Sequence, residues 1–477
     1  MTKVQPSALA TKAYLAGFAE IDQEYDLEVE IEGNLPKEIQ GDFLQIGPRG
    51  GSIGGEKVHW FDSNGMISAW RLQNGKASFK NRFVRTQEML KEELTGRRHY
   101  RGYFTNLNKG WLGNFGRKPK NPANAWLTDI PNGLLAGGGF GVPVELDPDT
   151  LAVRQDKPFL RRLPKRWRCW ITEPVTNPEN GSLYLLAGYL LDKSLRPAVD
   201  LVEVPVNGRA KLVARLHLGD IYLTHSFSLT KRFAVVPVGP YRCGLQRVLG
   251  AACGAFSFID AAQWHANEPL KFYIVSLQNG TVRCVETSAE YPLHIINTFE
   301  QGDDVIIDCE VYEYGLLPLA QLDAARNDEP LHDEPPGGAL IRYFIKPDGK
   351  IIRKVLAENK IVYPFINDDH HGVSSTDLYG VTNPSWSDSG LIRIDPEMRN
   401  RPTGIESLQF VGGGPAIVNC QQDNKSWLLC PVYSGSDNNV SMLHVYSTQF
   451  ELQAILRLPI NIPVSVHSHF VEKKFFP

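Results

Sequence analysis

The chain is broken into many short apolar runs separated by turn residues, and this limits its fold more than any other feature. Examples are RFAVVPV, LKFYIVSL, DVIIDCEVY, ALIRYFIK, SWLLCPVY and SMLHVYS. Between such runs lie PDGK, QNGK, QNGT, PENGS and SGSDN, whose Gly, Asn and Asp supply positive φ or side-chain-to-backbone bonds. Many short strands punctuated in this way predict an all-β sandwich, barrel or propeller. At 477 residues the chain is long for a sandwich, so a propeller is favoured, although no clean blade repeat is visible. No linker divides it, and it reads as a single domain over 1–477 with an N-terminal arm over about 1–30. Helical spacing is confined to 12–20, 88–93 and 316–326, and the acidic, Pro-rich stretch 327–338 reads as an exposed loop.

Composition excludes several functions. The net charge of −3 offers no basic face for nucleic acid. Seven scattered cysteines without a CxxC pair argue for reduced thiols and a cytoplasmic location. The first residues do not make a convincing signal peptide, and no stretch approaches the roughly 20 apolar residues of a membrane-spanning helix. The segment 241–256, YRCGLQRVLGAACGAF, is apolar and Gly/Ala-rich but carries Arg242 and Arg247. It reads either as a packed loop or as a peripheral membrane contact with arginines near lipid phosphates.

Twelve histidines occur without a local signature such as HExxH, so any metal site must be assembled from distant segments. Taken singly, a histidine is more often a core residue bonded to a backbone carbonyl than a ligand. Four segments stand out by context. His225 lies in LTHSFSLT and His294 in PLHIINTFE, each leading into a strand-like run. His467 lies in VHSHF close to the C-terminus, and Glu173 lies in TEPVTNPENG. His469 shares a strand face with His467, because side chains two apart point the same way. His370-His371 reads as a solvated loop, and the glycines of 137–141 as a tight turn without the context of a dinucleotide site.

These segments, in this order, resemble the carotenoid cleavage oxygenases. That family carries histidines in His-Pro-x-x-Asp-Pro-x-x-Gly, His-Asp-Phe-x-x-Thr, Phe-His-x-x-Asn-Ala-x-Glu and His-Gly-x-Phe/Trp settings. His225, His294 and His467 fall in the last three, with Ser226, Leu293, Thr298 and Ser468 as departures. The first setting holds Glu173 in place of its histidine and Asn177 in place of its Asp. Leu35-Pro36, Gly47-Pro48, His59-Trp60-Phe61-Asp62, Asn64-Gly65-Met66 and Arg342-Tyr343 also look like that family's motifs, so the resemblance runs from about Leu35 to Phe470. It implies a seven-bladed β-propeller with a metal on its axis and a small helical cap over a lipophilic tunnel.

The resemblance also implies an Fe(II) site of four neutral histidines, three of them bonded to outer glutamates. Gly139, Val362 and Gly414 stand where those glutamates are expected. Glu173 is the candidate fourth ligand beside His225, His294 and His467, a set also suited to Zn(II) or Mn(II). The implied activity is dioxygen-dependent cleavage of a double bond in a carotenoid, apocarotenoid or related isoprenoid alkene, with a lipophilic small molecule and dioxygen as partners. The rival readings are a non-cleaving polyene isomerase and a lipophilic-ligand carrier that has lost iron chemistry.

Overall fold

The computed structural model describes residues 8–139, 141–189, 197–313, 337–382, 389–397, 403–405, 408, 410–420, 425–436 and 440–472. Its strands form seven antiparallel blades. Six correspond to separate sheets, or parts of them, that begin at Trp126–Ile130, Val175–Thr176, Ser228–Leu229, Tyr291–Gln301, Ala416–Cys420 and His467–Glu472. The remaining blade shares a strand with its neighbour. In Ile351–Phe365 the first half pairs outward with Gly338–Ile345, and the second half pairs with Leu378–Thr382. One continuous sheet of seven strands thereby serves two blades.

The blades close into a ring, because each packs on two neighbours. Alternate strand residues point to opposite faces, so adjacent residues enter different cores. Phe43 joins Leu429 and Leu443 on one side, whereas Leu44 joins Leu127 and Leu134 on the other. Val236 packs with Tyr184 and Leu186, while Val235 packs with Ile307 and Tyr343. Leu428 packs with Val381 and Leu391. The clusters around Trp126 and Leu185, and around Ile296 and Leu378, complete seven blade-to-blade interfaces. The last strand, His467–Glu472, pairs with Gly41–Pro48 near the start, placing Ile46 opposite His467 and Leu44 opposite His469. Chain ends thus meet in one blade. The N-terminal arm adds outermost strands at both sides of this junction, Asp26–Glu28 and Glu30–Gly33.

Up-and-down order places two kinds of connection at one end of the ring: those leading into each innermost strand and those joining its second and third strands. All four α-helices of the described residues lie at that end. Gln87–Thr95 and Gly110–Asn114 precede the innermost strand Trp126–Ile130. Leu245–Ala252 joins the second and third strands of its blade. Ala8–Gly17 packs through Ala13, Tyr14 and Phe18 on Trp60, Phe410 and Tyr433.

The helix expected over 88–93 is present as Gln87–Thr95, opened by Thr86, whose hydroxyl accepts from Met89 N at 3.1 Å, and closed by Gly96 at φ 61°. The first helix lies slightly N-terminal of the expected 12–20. The expected helix at 316–326 falls outside the described residues, as does nearly all of 327–338. The segment 241–256 is not a loop: it is the strand Tyr241–Cys243 followed by the helix Leu245–Ala252.

Candidate metal centre

His225, His294 and His467 come from three different innermost strands, or the residues just before them, and meet at the helix-bearing end. One ring nitrogen of each lies within 4.8 Å of one from each of the others. The rings stand edge to face, with centroids 5.0 Å apart for His225 and His294 and 5.7 Å for His294 and His467. No other group of three or more His, Cys, Asp or Glu side chains converges in this way among the described residues.

Local structure aims each ring. His294 sits where Tyr291–Gln301 slips register against Asp304–Tyr312, between Pro292 and Ile295. A bulge of this kind turns a side chain out of the regular alternation. Ser226 Oγ donates to Leu293 O at 2.8 Å and accepts from Ile295 N at 3.3 Å, which ties the His225 segment to the His294 segment. Ser228 and Thr298 share a hydroxyl bond of 2.5 Å one step deeper. Ser226 and Thr298 are both departures from the family settings, and here each binds the other's strand or its neighbour. Ser468, a third departure, donates to Gly414 O.

Two of the three rings have carboxylate partners. His294 donates from Nδ1 to Glu310 Oε2 at 2.5 Å, and His467 donates from Nδ1 to Glu173 Oε2 at 3.0 Å. A carboxylate only accepts, so both Nδ1 atoms carry the proton, and in the neutral form of each ring the Nε2 lone pair is the one that faces a cation. Glu173 is therefore placed behind His467 and is not among the converging ligand atoms. Burial lowers the His467 pKa, but Glu173 outweighs it and the net shift is upward. His225 has no carboxylate. Its ring keeps accessible surface, yet surrounding protein, with His294 and His467 nearby, holds its pKa well below the usual value. A neutral imidazole is the form that binds metal.

His469 does not join the cluster; its Nε2 donates to Asp129 Oδ2 at 3.0 Å. His370 bonds Ser375, and His371 is half exposed beside Asp368. Gly139 has open space where a Cβ would be. The sequence reading missed Glu310. The available signal was DVIIDCEVY, an otherwise apolar strand with acids at Asp308 and Glu310. Arg342 answers the first at 2.6 and 2.8 Å, whereas no Arg or Lys among the described residues answers the second.

A propeller with imidazoles converging on its axis defines the class, and comparison supplies the family. A family profile described as "Retinal pigment epithelial membrane protein" matches residues 18–472. The chain belongs to this family, which includes the carotenoid cleavage oxygenases. It is 25% identical to the apocarotenoid-15,15'-oxygenase of Synechocystis, over 96% of both chains. It is also 25% identical to resveratrol cleavage oxygenase 1 of Aspergillus fumigatus, over 93% of this chain and 92% of the other. Isoeugenol monooxygenase of Pseudomonas nitroreducens is 26% identical over 61% of this chain and 59% of its own. The structure of cobalt-substituted Synechocystis apocarotenoid oxygenase superposes with a TM-score of 0.84 at 23% identity, covering 97% of this chain and 99% of that one. No helix among the described residues is long and apolar enough to cross a membrane.

Proposed function

We propose that this protein is a non-haem Fe(II) oxygenase that cleaves a double bond of a carotenoid, apocarotenoid or related isoprenoid alkene with dioxygen. The observation that carries this reading is the convergence of His225, His294 and His467 from three strands of the ring. Three neutral imidazoles suit Fe(II), and they leave positions open for exchangeable ligands. The chemistry such an ion supplies is the activation of dioxygen. In the overall reaction each alkene carbon receives one oxygen atom and becomes a carbonyl, so no outside reductant is required. The chain's part is to hold three lone pairs on one point. Glu310 and Glu173 fix two rings with Nδ1 protonated, and the hydroxyl bonds of Ser226 and Ser228 fix the spacing of the His225 and His294 strands.

The relatives act, by name, on an apocarotenoid, on resveratrol and on isoeugenol. All three molecules are lipophilic and carry a conjugated double bond, which supports an alkene of that kind as the substrate here. A lipophilic substrate partitions into membranes, and the helix-bearing end fits a membrane surface. Trp111, Leu112, Phe115, Leu245 and Leu249 are each more than half exposed there. Their two helices are joined by Gly116 N donating to Ala252 O at 3.1 Å, and buried Arg101 donates to Ala251 O and Phe256 O. We assign this patch, within 241–256 and beside 110–115, as a peripheral membrane contact of a cytoplasmic enzyme.

The test is incubation of Fe(II)-loaded protein with apocarotenal, stilbene and propenylphenol alkenes under isotopically labelled dioxygen. Labelled carbonyl fragments that disappear in His294→Ala are expected. Binding of a polyene without cleavage, unchanged in His294→Ala, would instead identify a carrier, and geometric isomers without fragments an isomerase. Leu249→Glu should lower retention on liposomes; equal retention would remove the membrane contact.

A further inference from the structure

We infer that Glu310 is the positioning residue for His294, from a place that is none of the three (Gly139, Val362 and Gly414) where the family resemblance implies outer glutamates; this rests on the metal reading above. Of those three, Val362 lies in the blade next to that of His294, on the second half of Ile351–Phe365, which is its innermost strand. Glu310 lies instead within the His294 blade, on the neighbouring strand Asp304–Tyr312. Across that pair Ile295 faces Cys309 and Pro292 faces Val311. The bulged residues between Pro292 and Ile295 therefore lie against Glu310.

Glu310 is only 1% exposed. A buried carboxylate without a counter-charge is costly, and proteins keep one where a cation or strong donors compensate it. Two residues away, Asp308 shows the ordinary solution, a bidentate pair with buried Arg342. Among the described residues Glu310 has no such arginine or lysine. Its two oxygens are taken by His294 Nδ1 at 2.5 Å and Tyr312 Oη at 2.6 Å. Burial and Glu310 hold the Tyr312 hydroxyl well above its usual pKa, so it stays a donor. Burial and Glu310 also push Tyr363 up to about 12. The missing positive charge is then one carried through His294, as on a cation bound at its Nε2.

Surrounding residues make room for this arrangement. A Cβ at Gly338 would come within 2.9 Å of Glu310 Cγ, so the absence of a side chain there admits the glutamate stem. Tyr363, next to Val362, adopts a left-handed backbone at φ 47° where Ile351–Phe365 slips register against Leu378–Thr382. A non-glycine residue pays strain in that conformation. The strand that carries one of the outer acids in the family pattern is thus bulged here, with a phenol near Glu310. The carboxylate comes instead from Asp304–Tyr312, the strand paired with that of His294, and His294 has its partner.

The experiment is a cobalt(II) titration of the full-length wild-type protein, Glu310→Leu and Glu310→Gln. Affinity and the visible ligand-field spectrum are read together, with the melting temperature of the metal-free proteins alongside. Loss of an outer partner lowers metal affinity about 10–100-fold. Glu310→Leu should show that loss with a shifted spectrum. Glu310→Gln keeps an acceptor for the ring N–H without the charge, and should fall between Leu and wild type. Wild-type affinity and spectrum in Glu310→Leu would overturn the inference; if that variant does not fold, the same result in isosteric Glu310→Gln would overturn it. Cobalt uptake indifferent to Glu310 leaves the metal reading standing, whereas a wild-type protein that takes up no cobalt overturns both.

Discussion

Two sets of positions interleave around the axis of the ring, a chemical one and a silent one. In the first, His225, His294 and His467 converge, with Glu173 and Glu310 behind two of them. In the second, Gly139, Val362 and Gly414 stand where the family resemblance implies outer glutamates, and they offer no charge. Read position by position, the silent set suggests a ruined site. Read in three dimensions, two carboxylates reach the rings from other places: Glu310 from the strand paired with that of His294, and Glu173 from the segment just before Val175–Thr176. Outer carboxylates need to reach a ring nitrogen, and the position they come from is secondary.

Breaking the chemical set should have the largest effect. His294→Ala should abolish stoichiometric iron binding, measured by metal analysis after anaerobic reconstitution; retained iron would mean that the three rings do not form the site.

A histidine away from the axis sharpens the contrast from outside. His444 is buried in the blade of Ser441–Ser447, bonded to Tyr446 Oη at 2.8 Å without a carboxylate. Burial chiefly, and Arg457 next, lower its pKa to about 4 against the opposing pull of Glu32. Its charged form is disfavoured in the fold, so its stability contribution is intact above pH about 6.5 and is lost as pH falls towards 4. The loss should reach roughly 3 kcal/mol by linkage. Urea unfolding at stepped pH should show a shallower acid decline in His444→Leu than in wild type. Equal declines would remove His444 as the cause.

Glu173→Ala should weaken iron about tenfold, the smaller end of the range for an outer partner. Complete loss would make Glu173 a ligand. The smallest effect belongs to the silent set. Val362→Glu should change cobalt affinity by less than about threefold, because Glu310 already holds His294. A large gain would mean that the two sets are not independent.

Much of this was legible in the sequence. Short apolar runs with turn chemistry pointed to an all-β sandwich, barrel or propeller, length favoured the propeller, and the settings of His225, His294 and His467 picked three histidines out of twelve. The role of Glu310 was not legible, because a one-residue slip in strand pairing decides which side chains meet, and the bulge at His294 is visible only in the register. Glu173 was picked out as the candidate fourth ligand, whereas it lies outside the converging group, bonded to His467. Its attachment to His467 Nδ1 could not be read, since that depends on how two strands from different blades approach. The patch around Leu249 was suggested by composition, but its partner helix at 110–114 lies far away in the chain.

The most direct test of a three-histidine centre backed by two carboxylates is the iron content of the anaerobically reconstituted protein beside Glu173→Ala. One iron per wild-type chain is expected, with iron still bound, more weakly, in the variant. No iron in the wild type, or none at all in Glu173→Ala, would contradict it.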